Sequence, residues 1–364
     1  MAYGMWRGIL IYIVMLHTFF FSTPILYADE NRSIQNACTD ASDKIQCEMQ
    51  FIAENSKFVV RIFNHDGKGS GTGIFFKDRD GFGILTNSHV VEKGAKAWVV
   101  FPGTEIVQAA EIVGRDEDLD LALLSVSQGG TPRGLVPAKL GRSATLQFGD
   151  RVYTAGYPLG TKSVTVGWVN SLTAAIGHYF FSTQAPVHEG NSGGPLFRIS
   201  GSGELEVIGI NTAIKKSGLL TWSLHIDYVV RMIPKLRTEK VVSHSKAGFV
   251  ASNSIEIPPP IYEELTKTRY PPQKSGVIVM EIEKGSPAEI AGIRAGDMVT
   301  ALLYEGRAIS FTTAEQLFDV LFFELLPGTK VVFVTQRGSN AFNHEVVLGG
   351  KKNIPINIKP EYEG

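Results

Sequence analysis

The chain has 364 residues, 44% hydrophobic and 20% charged, with 38 glycines and a formal net charge of -1. This is the profile of a folded, turn-rich β protein rather than a helical bundle or a disordered chain. The basic residues gather into no stripe, which argues against nucleic acid as a partner; the pairs Lys215-Lys216 and Lys351-Lys352 read as solvated surface.

Residues 1–28 stand apart. Arg7 is their only Lys, Arg, Asp or Glu, an apolar run from Gly8 to Phe21 follows it, and Ala28 precedes the acidic pair Asp29-Glu30. One positive charge, a hydrophobic stretch and a small residue form the order of an export signal. Leu26 stands where cleavage prefers a small residue, and Gly8 to Ala28 approaches bilayer length at ~1.5 Å per residue, so an uncleaved anchor is the alternative. Pro24, Ser22 and His17 weaken that span and favour the signal. Either way the rest of the chain is expected outside the cytoplasm, in a periplasm or cell envelope.

Residues 29–56 form an N-terminal extension holding the only two cysteines, Cys38 and Cys47. In an oxidising compartment they are expected to pair, and closing so short a loop contributes roughly 2.5 kcal/mol in the chain-entropy model. With no histidine beside them, a zinc site is not expected, and no other metal or cofactor is called for.

From Lys57 to Arg237 short apolar runs alternate with turn signals: FVVRIF, GTGIFF, FGILTN, AWVVF, LALLSV, RVYTAGY, SVTVGWV, VIGINTAI and LLTWSLHI. That spacing predicts an antiparallel sandwich or barrel. It closes with IDYVVRMIPKLR, where Ile226, Val229, Val230 and Ile233 fit one helical face and Pro234 blurs the end. A polar linker is read over 238–247 and a small α+β unit over 248–352, with a tail over 353–364. In the second unit, strands are expected at SGVIVMEI and KVVFVTQ, and a helix at SPAEIAGI with Ser286 as N-cap and Pro287 at its first position. A stronger helix follows a Thr313/Gln316 capping box and stops at Pro327-Gly328.

The stretch GNSGGP, Gly190 to Pro195, sets one serine among three glycines. As G-x-S-x-G it also describes the nucleophile elbow of α/β-hydrolases, which requires a helix directly after the serine. The following GGPLFRISGSGELEVIGI is too rich in glycine and β-branched residues to be one. A serine in a β-barrel needs a base and an acid to orient it. Of eight histidines, His17 is in the leader, His65, His178 and His244 lie in polar, loop-like stretches, and His344 belongs to the second unit. His89, His188 and His225 remain. His89 follows the strand FGILTN, where a side chain projects from a sheet into a cleft; His188 lies four residues before Ser192 and would shape the approach to it. For the acid, Asp120 immediately precedes the apolar run Leu121 to Leu124, at the mouth of a buried strand; Asp116 and Asp118 read as solvated loop charges, with Asp118 the fallback.

The order His89, Asp120, Ser192 in TNSHVV, DLALL and GNSGGPLF, followed by VIGINTAI, resembles the trypsin-like serine proteases of the HtrA (Deg) family. GSPAEIAGIRAGDMVTAL resembles the PDZ domain that follows the protease in that family. The resemblance spans roughly residues 57 to 350 and implies a mainly β chain: a double β-barrel protease over 57–237, then a PDZ-like domain. It implies that Ser192 attacks the scissile carbonyl, His89 moves the proton and Asp120 orients His89. The backbone N–H groups of Gly190 and Ser192 would form the oxyanion hole, with Asn191 setting the turn. Ile210, Asn211 and Thr212 match the substrate-pairing strand, and Pro186, six residues before Ser192, offers no charge to a basic P1 side chain, so small or medium aliphatic P1 residues are implied.

In the PDZ-like unit, a peptide with a hydrophobic C-terminus would add a strand beside Gly248, Phe249 and Val250, facing Leu317, Val320 and Leu321. For each of these helix residues alone, a place in the core is equally what an amphipathic helix needs. The stretch after Val250, with Pro258-Pro259-Pro260, is long for this domain and reads as a lid or insertion. The family implies a homotrimer acting on unfolded or misfolded envelope proteins. Two departures bear on the oxyanion loop: His188-Glu189 stand where the family commonly has Asn-Pro, and Gln184 replaces an Asp. An inward Glu189 would oppose an anion-binding loop, which keeps a silent, holdase-like binding protein as the rival reading.

Overall fold

The computed structural model describes residues 43–350 apart from 93, 105–106, 127–131, 133, 175–177, 215–219, 267–268 and 270–275, together with Ile34 and Cys38. The expected leader, the tail over 353–364 and both lysine pairs lie outside the described residues. No described helix is long and apolar enough to cross a membrane.

Strands β1 (Val59–Phe63), β2 (Ser70–Asp78), β3 (Gly81–Thr86), β4 (Lys96–Val100), β5 (Val107–Asp116) and β6 (Leu121–Val126) pair in the order β5-β4-β1-β2-β3-β6. A β5–β6 pairing closes them into a barrel. The second barrel uses β8 (Arg151–Gly156), β9 (Ser163–Ser171), β10 (Phe180–Thr183), β11 (Pro195–Ile199), β12 (Leu205–Ile214) and β13 (Thr221–His225), closed by β11–β12, with the short β7 (Lys139–Leu140) beside β12. The two expected barrels are therefore present. Closure removes the exposed edges that these short strands would otherwise offer.

The extension forms α1 (Lys44–Asn55), capped by Asp43, whose Oδ1 accepts from Gln46 N. It lies on the second barrel: Ile52 is fully buried, and Tyr153 Oη donates to the buried Glu48 carboxylate, which Arg151 also faces. The Cys38–Cys47 disulfide pins the chain before it, with Cα atoms 5.7 Å apart.

Helix α2 (Ile226–Thr238) packs beside β5 and β12 on Val229, Met232, Ile233 and Leu236 and runs through Pro234. Proline in a helix loses one donor; here Val230 O is left without its i+4 partner, and Val230 lies on the exposed face. The stretch 238–247 is polar in composition yet partly buried. Its β14 (Val241–Val242) pairs in parallel with the end of β5, and His244 and Ser245 are buried.

The second unit is a sheet of β15 (Phe249–Asn253), β16 (Val277–Ile282), β17 (Met298–Tyr304), β19 (Lys330–Arg337) and β20 (Asn340–Val347), with β18 (Arg307–Ile309) on β17. Within the proline-rich stretch, α3 (Pro259–Thr266) brings Tyr262 onto Ile257, Ile278 and Met298, and the tyrosine hydroxyl donates to Gly296 O at 2.6 Å. Here the stretch covers the sheet. Ser286 caps α4 (Pro287–Ile290) as expected. Thr313 Oγ1 accepts from Gln316 N ahead of α5 (Ala314–Asp319), but Gln316 Oε1 reaches back to Thr312 N, one residue before the cap.

Helix α5 continues into a single wide turn over Val320–Glu324, and its Phe322 and Phe323 join the core of the first unit. The carbonyls at that helix end are met from the other side: Ser245 Oγ donates to Leu321 O, His244 Nδ1 to Phe322 O at 2.7 Å and Lys235 Nζ to Phe323 O at 3.2 Å. Helix ends leave carbonyls unpaired, and the linker and α2 supply the donors.

Candidate active site

His89 leaves β3 in a short turn, His89–Val91, that anchors on buried Val90 and Val91. Its side chain stays 40% exposed, while that of Asp120 is 7% exposed. Nδ1–H donates to Asp120 Oδ2 at 2.7 Å, and the His89 backbone N–H donates to Oδ1 at 3.0 Å, so one carboxylate fixes both ring and main chain. Burial pulls the imidazole's proton affinity down, but attraction to Asp120, this hydrogen bond and the nearby Glu92 outweigh it and hold His89 above its ordinary value.

Asp120 sits at φ +51°, a left-handed conformation that a non-glycine residue adopts at a cost of about 1 kcal/mol or more. Its surroundings hold it there. Asn87 Nδ2 donates to Asp120 O at 2.8 Å and to Thr212 Oγ1 at 3.2 Å, and Thr212 Oγ1 donates to Asp120 Oδ2 at 2.5 Å. Because the amide occupies the Thr212 oxygen as donor, the threonine's one hydrogen is left for the carboxylate. Among the described residues the buried Asn87 Oδ1 has no hydrogen-bond partner. The amide is thus oriented for its two donors at the expense of its acceptor.

The loop before Asp120 is shaped by Asp116, whose Oδ1 accepts from Asp118 N and Leu119 N. The expectation that Asp116 and Asp118 are solvated charges is corrected here. Asp116 is fully buried with Oδ2 2.6 Å from His244 Nε2, and Asp118 meets Lys246 Nζ at 2.6 Å. His244, likewise read as a loop residue, is buried. These contacts bridge 128 residues of sequence, beyond the reach of local pattern.

Ser192 is partly exposed, and among the described residues its hydroxyl has no hydrogen-bond partner. Its main chain is fixed: Thr72 N donates to Ser192 O at 2.9 Å. A Cβ on Gly193 would fall 2.9 Å from Asn87 N and 2.2 Å from Thr86 Oγ1, which measures how closely the serine loop lies against the segment leading to His89. In the loop Asn191 N donates to His188 O at 3.0 Å, closing a turn whose third residue, Gly190, has φ +94°. A type II turn requires that sign there, hence glycine. A Cβ at Gly190 would also lie 2.5 Å from Tyr157 O. Asn191 is buried, and Gly156 leaves room for its Oδ1, which would stand 2.3 Å from a Cβ there. His188, Glu189 and Gln184 are exposed, so the Glu189 side chain faces solvent and not the turn.

The substrate-strand residues divide. Pro186 is exposed, with its carbonyl accepting from Thr165 Oγ1. Ile210 is fully buried, and Asn211 turns its amide to Thr154 Oγ1 and Pro195 O while its backbone exchanges hydrogen bonds with Gly193 and Gly194. Neither is open to a substrate. Thr212 lies at a register shift between β12 and β13, an irregularity typical of strands beside a site, and its side chain is committed to Asp120. His225 occupies the N-cap position of α2, and its Nε2 lies 3.1 Å from Leu172 O. In the second unit Val250 is exposed on β15 and Gly248 has φ +82°, whereas Phe249, Leu317 and Leu321 are core residues and Val320 is partly buried against them.

Residues 71–210 match the trypsin-like peptidase domain family. Putative serine protease HhoA of Synechocystis is 33% identical over 260 residues, covering 67% of this chain and 61% of its own length. Serine protease Do-like HtrA of Bacillus subtilis is 30% identical over 302 residues, 78% of this chain and 64% of its own. A probable periplasmic serine endoprotease DegP-like of Chlamydia trachomatis is 33% identical over 272 residues, 72% and 50%. The chain therefore spans between half and two thirds of these relatives. Among solved structures, the HtrA-type protease AlgW with a tripeptide superposes with a TM-score of 0.62 at 23% identity, covering 83% of this chain and 97% of that one. The serine endoprotease from Yersinia pestis gives 0.57 at 22%, with the same coverage. At those identities the structures speak for the fold. The chain carries a trypsin-like peptidase domain and is similar, over most of its length, to HtrA and DegP-like serine proteases.

Proposed function

We propose that the chain is an exported serine endopeptidase that cuts unfolded or misfolded proteins of the cell envelope. The observation that carries this reading is the His89 Nδ1–Asp120 Oδ2 bond at 2.7 Å, with the glycine turn of Ser192 packed against the segment that leads to His89. Ser192 Oγ attacks the scissile carbonyl carbon as His89 Nε2 takes its proton, and the carbonyl oxygen becomes an anion facing the N–H groups of Gly190 and Ser192. His89 then returns the proton to the leaving amine, the C–N bond breaks, and water attacks the acyl-enzyme by the same route. Asp120 acts through His89, holding the ring's tautomer and stabilising the imidazolium. Losing one oxyanion donor typically costs ~3 kcal/mol of transition-state stabilisation.

The second unit is proposed as a PDZ-like module that takes a peptide with a hydrophobic C-terminus along the free edge of β15, with Val250 exposed there and Gly248 opening the turn before it. Buried Leu317 and Leu321 shape the wall from beneath, so Val320 is the helix residue left to meet a ligand. The relatives named as probable periplasmic endoproteases, together with the leader-like N-terminus, support an envelope location. A homotrimer of protease units is proposed on the family resemblance alone. The test is digestion of a reduced, unfolded protein by the mature chain and by Ser192→Ala, with and without peptides ending in hydrophobic residues. Cleavage by the first alone supports the endopeptidase, and a peptide effect supports the module. Suppressed aggregation with no cleavage by either would favour the holdase reading.

A further inference from the structure

Thr72 lies in β2 of the first barrel, yet two of its three polar atoms, N and Oγ1, bond to the serine loop of the second. It is fully buried. Its N–H donates to Ser192 O at 2.9 Å, its Oγ1 donates to Gly190 O at 2.6 Å and accepts from Tyr157 N at 3.1 Å, and its carbonyl accepts from Thr86 Oγ1 at 2.8 Å. The hydroxyl has one hydrogen. Tyr157 N–H can only donate, so that hydrogen is committed to Gly190 O and the side chain has a single orientation.

The consequence falls on the turn. The carbonyls of Gly190 and Ser192 belong to the peptide planes on either side of the Asn191–Ser192 peptide. Pinning both from the first barrel limits rotation of the plane between them, which carries the Ser192 N–H, and fixes the plane whose Asn191 N–H closes the turn on His188 O. Glycines clear the space for this contact: a Cβ would stand 2.9 Å from Thr72 Oγ1 at Gly156, 2.4 Å from Thr72 O at Gly193 and 3.0 Å from Thr72 Cγ2 at Gly194. Three glycines and one buried hydroxyl at the junction of two barrels are costly unless the turn's geometry matters.

We propose that Thr72 is a positioning residue for the oxyanion turn, pinning the carbonyls of Gly190 and Ser192 so that the Ser192 N–H between them keeps the orientation that stabilises the tetrahedral anion, without itself touching substrate. This rests on the endopeptidase reading above. Its hydroxyl is separate from the His89–Asp120 pair, so its loss should weaken transition-state binding and leave the base's titration alone.

The test compares the mature wild type with Thr72→Val, which keeps the shape and removes the hydroxyl, and Thr72→Ser, which keeps the hydroxyl, on a chromogenic peptide amide with an aliphatic P1 residue. Rates are taken per active site titrated with a fluorophosphonate, so that misfolded molecules are not counted. The expected result is a fall in kcat of about 100-fold for Thr72→Val, the scale of one lost oxyanion donor. KM should stay within about threefold, the pH midpoint of kcat/KM should not move, and Thr72→Ser should recover kcat to within about threefold. An unchanged kcat in Thr72→Val, equal losses in Val and Ser, or a shifted pH midpoint would overturn the role. If Thr72→Val does not fold, Thr72→Cys, a weaker donor of similar size, should lower kcat about tenfold relative to Thr72→Ser; equal rates for the two would overturn it. A wild type that hydrolyses no amide and takes no fluorophosphonate overturns the endopeptidase reading and this role together, and is seen before any variant is compared.

Discussion

His89 and Asp120 are joined twice, by Nδ1–H to Oδ2 at 2.7 Å and by the His89 backbone N–H to Oδ1 at 3.0 Å. The carboxylate therefore holds both the ring and the turn that carries it.

Activity should rise with pH through a midpoint above about 6.5, the ordinary histidine value, because burial of His89 is outweighed by Asp120 and Glu92. Asp120→Asn removes the main raising cause, so the midpoint should fall and kcat drop by about 10⁴. The sign for stability is the reverse of that for activity. A raised folded-state value stabilises fully below the unfolded value and is lost as pH rises through the folded one. Thermal unfolding should show the wild type's advantage over His89→Ala present below about pH 6.5 and shrinking as pH rises above it.

Asn87→Asp replaces two donors with acceptors at the same size. The Asp120 carbonyl would lose its partner, and the Thr212 hydrogen would be drawn from Asp120 to the new carboxylate. Steady-state kinetics should give a kcat reduced at least about tenfold, with an altered pH midpoint, since a charged group left poorly paired costs about 1–3 kcal/mol.

Gly190→Ala would place a side chain at φ +94° and 2.5 Å from Tyr157 O. Denaturant unfolding should register a loss of about 1–3 kcal/mol, and turnover should fall further than stability explains, because the turn itself must change.

His244→Ala should loosen the contact between the two units. The side chain spans Asp116 Oδ2 and Phe322 O and stacks on the Phe322 ring at a centroid distance of 3.5 Å. Its removal takes the His244 partner from the buried Asp116 Oδ2 and from the Phe322 carbonyl, at about 2–3 kcal/mol. Hydrogen exchange should speed up over 116–120 and 320–324 together; faster exchange in one alone would contradict the bridge.

How far the sequence reached depends on how local each signal is. His89, Asp120 and Ser192 each stand in a motif of a few residues at a strand end, so strand pattern and side-chain chemistry find them. The short apolar runs with glycine turns point to an antiparallel sandwich or barrel, and the double barrel itself is implied by the resemblance carried by TNSHVV, DLALL and GNSGGPLF. Asn87 and Thr72 lay inside quoted motifs, TNSHVV and GTGIFF, but their partners are 33 to 125 and 118 residues away, a distance no periodicity covers. The same separation hid the burial of Asp116 and His244, whose charge and polarity suggest solvent until the second unit's helix is seen to end against them. Thr212 is assigned to substrate because, by the family resemblance, it matches the substrate-pairing strand; the register shift that turns its hydroxyl to Asp120 has no sequence signature here.

The measurement that tests the central claim most directly is reaction of the native chain with a fluorophosphonate, followed by peptide mass mapping. The account predicts one adduct, on Ser192, formed by the folded wild type and strongly slowed in His89→Ala. No adduct on Ser192, or equal labelling in the two proteins, would contradict it.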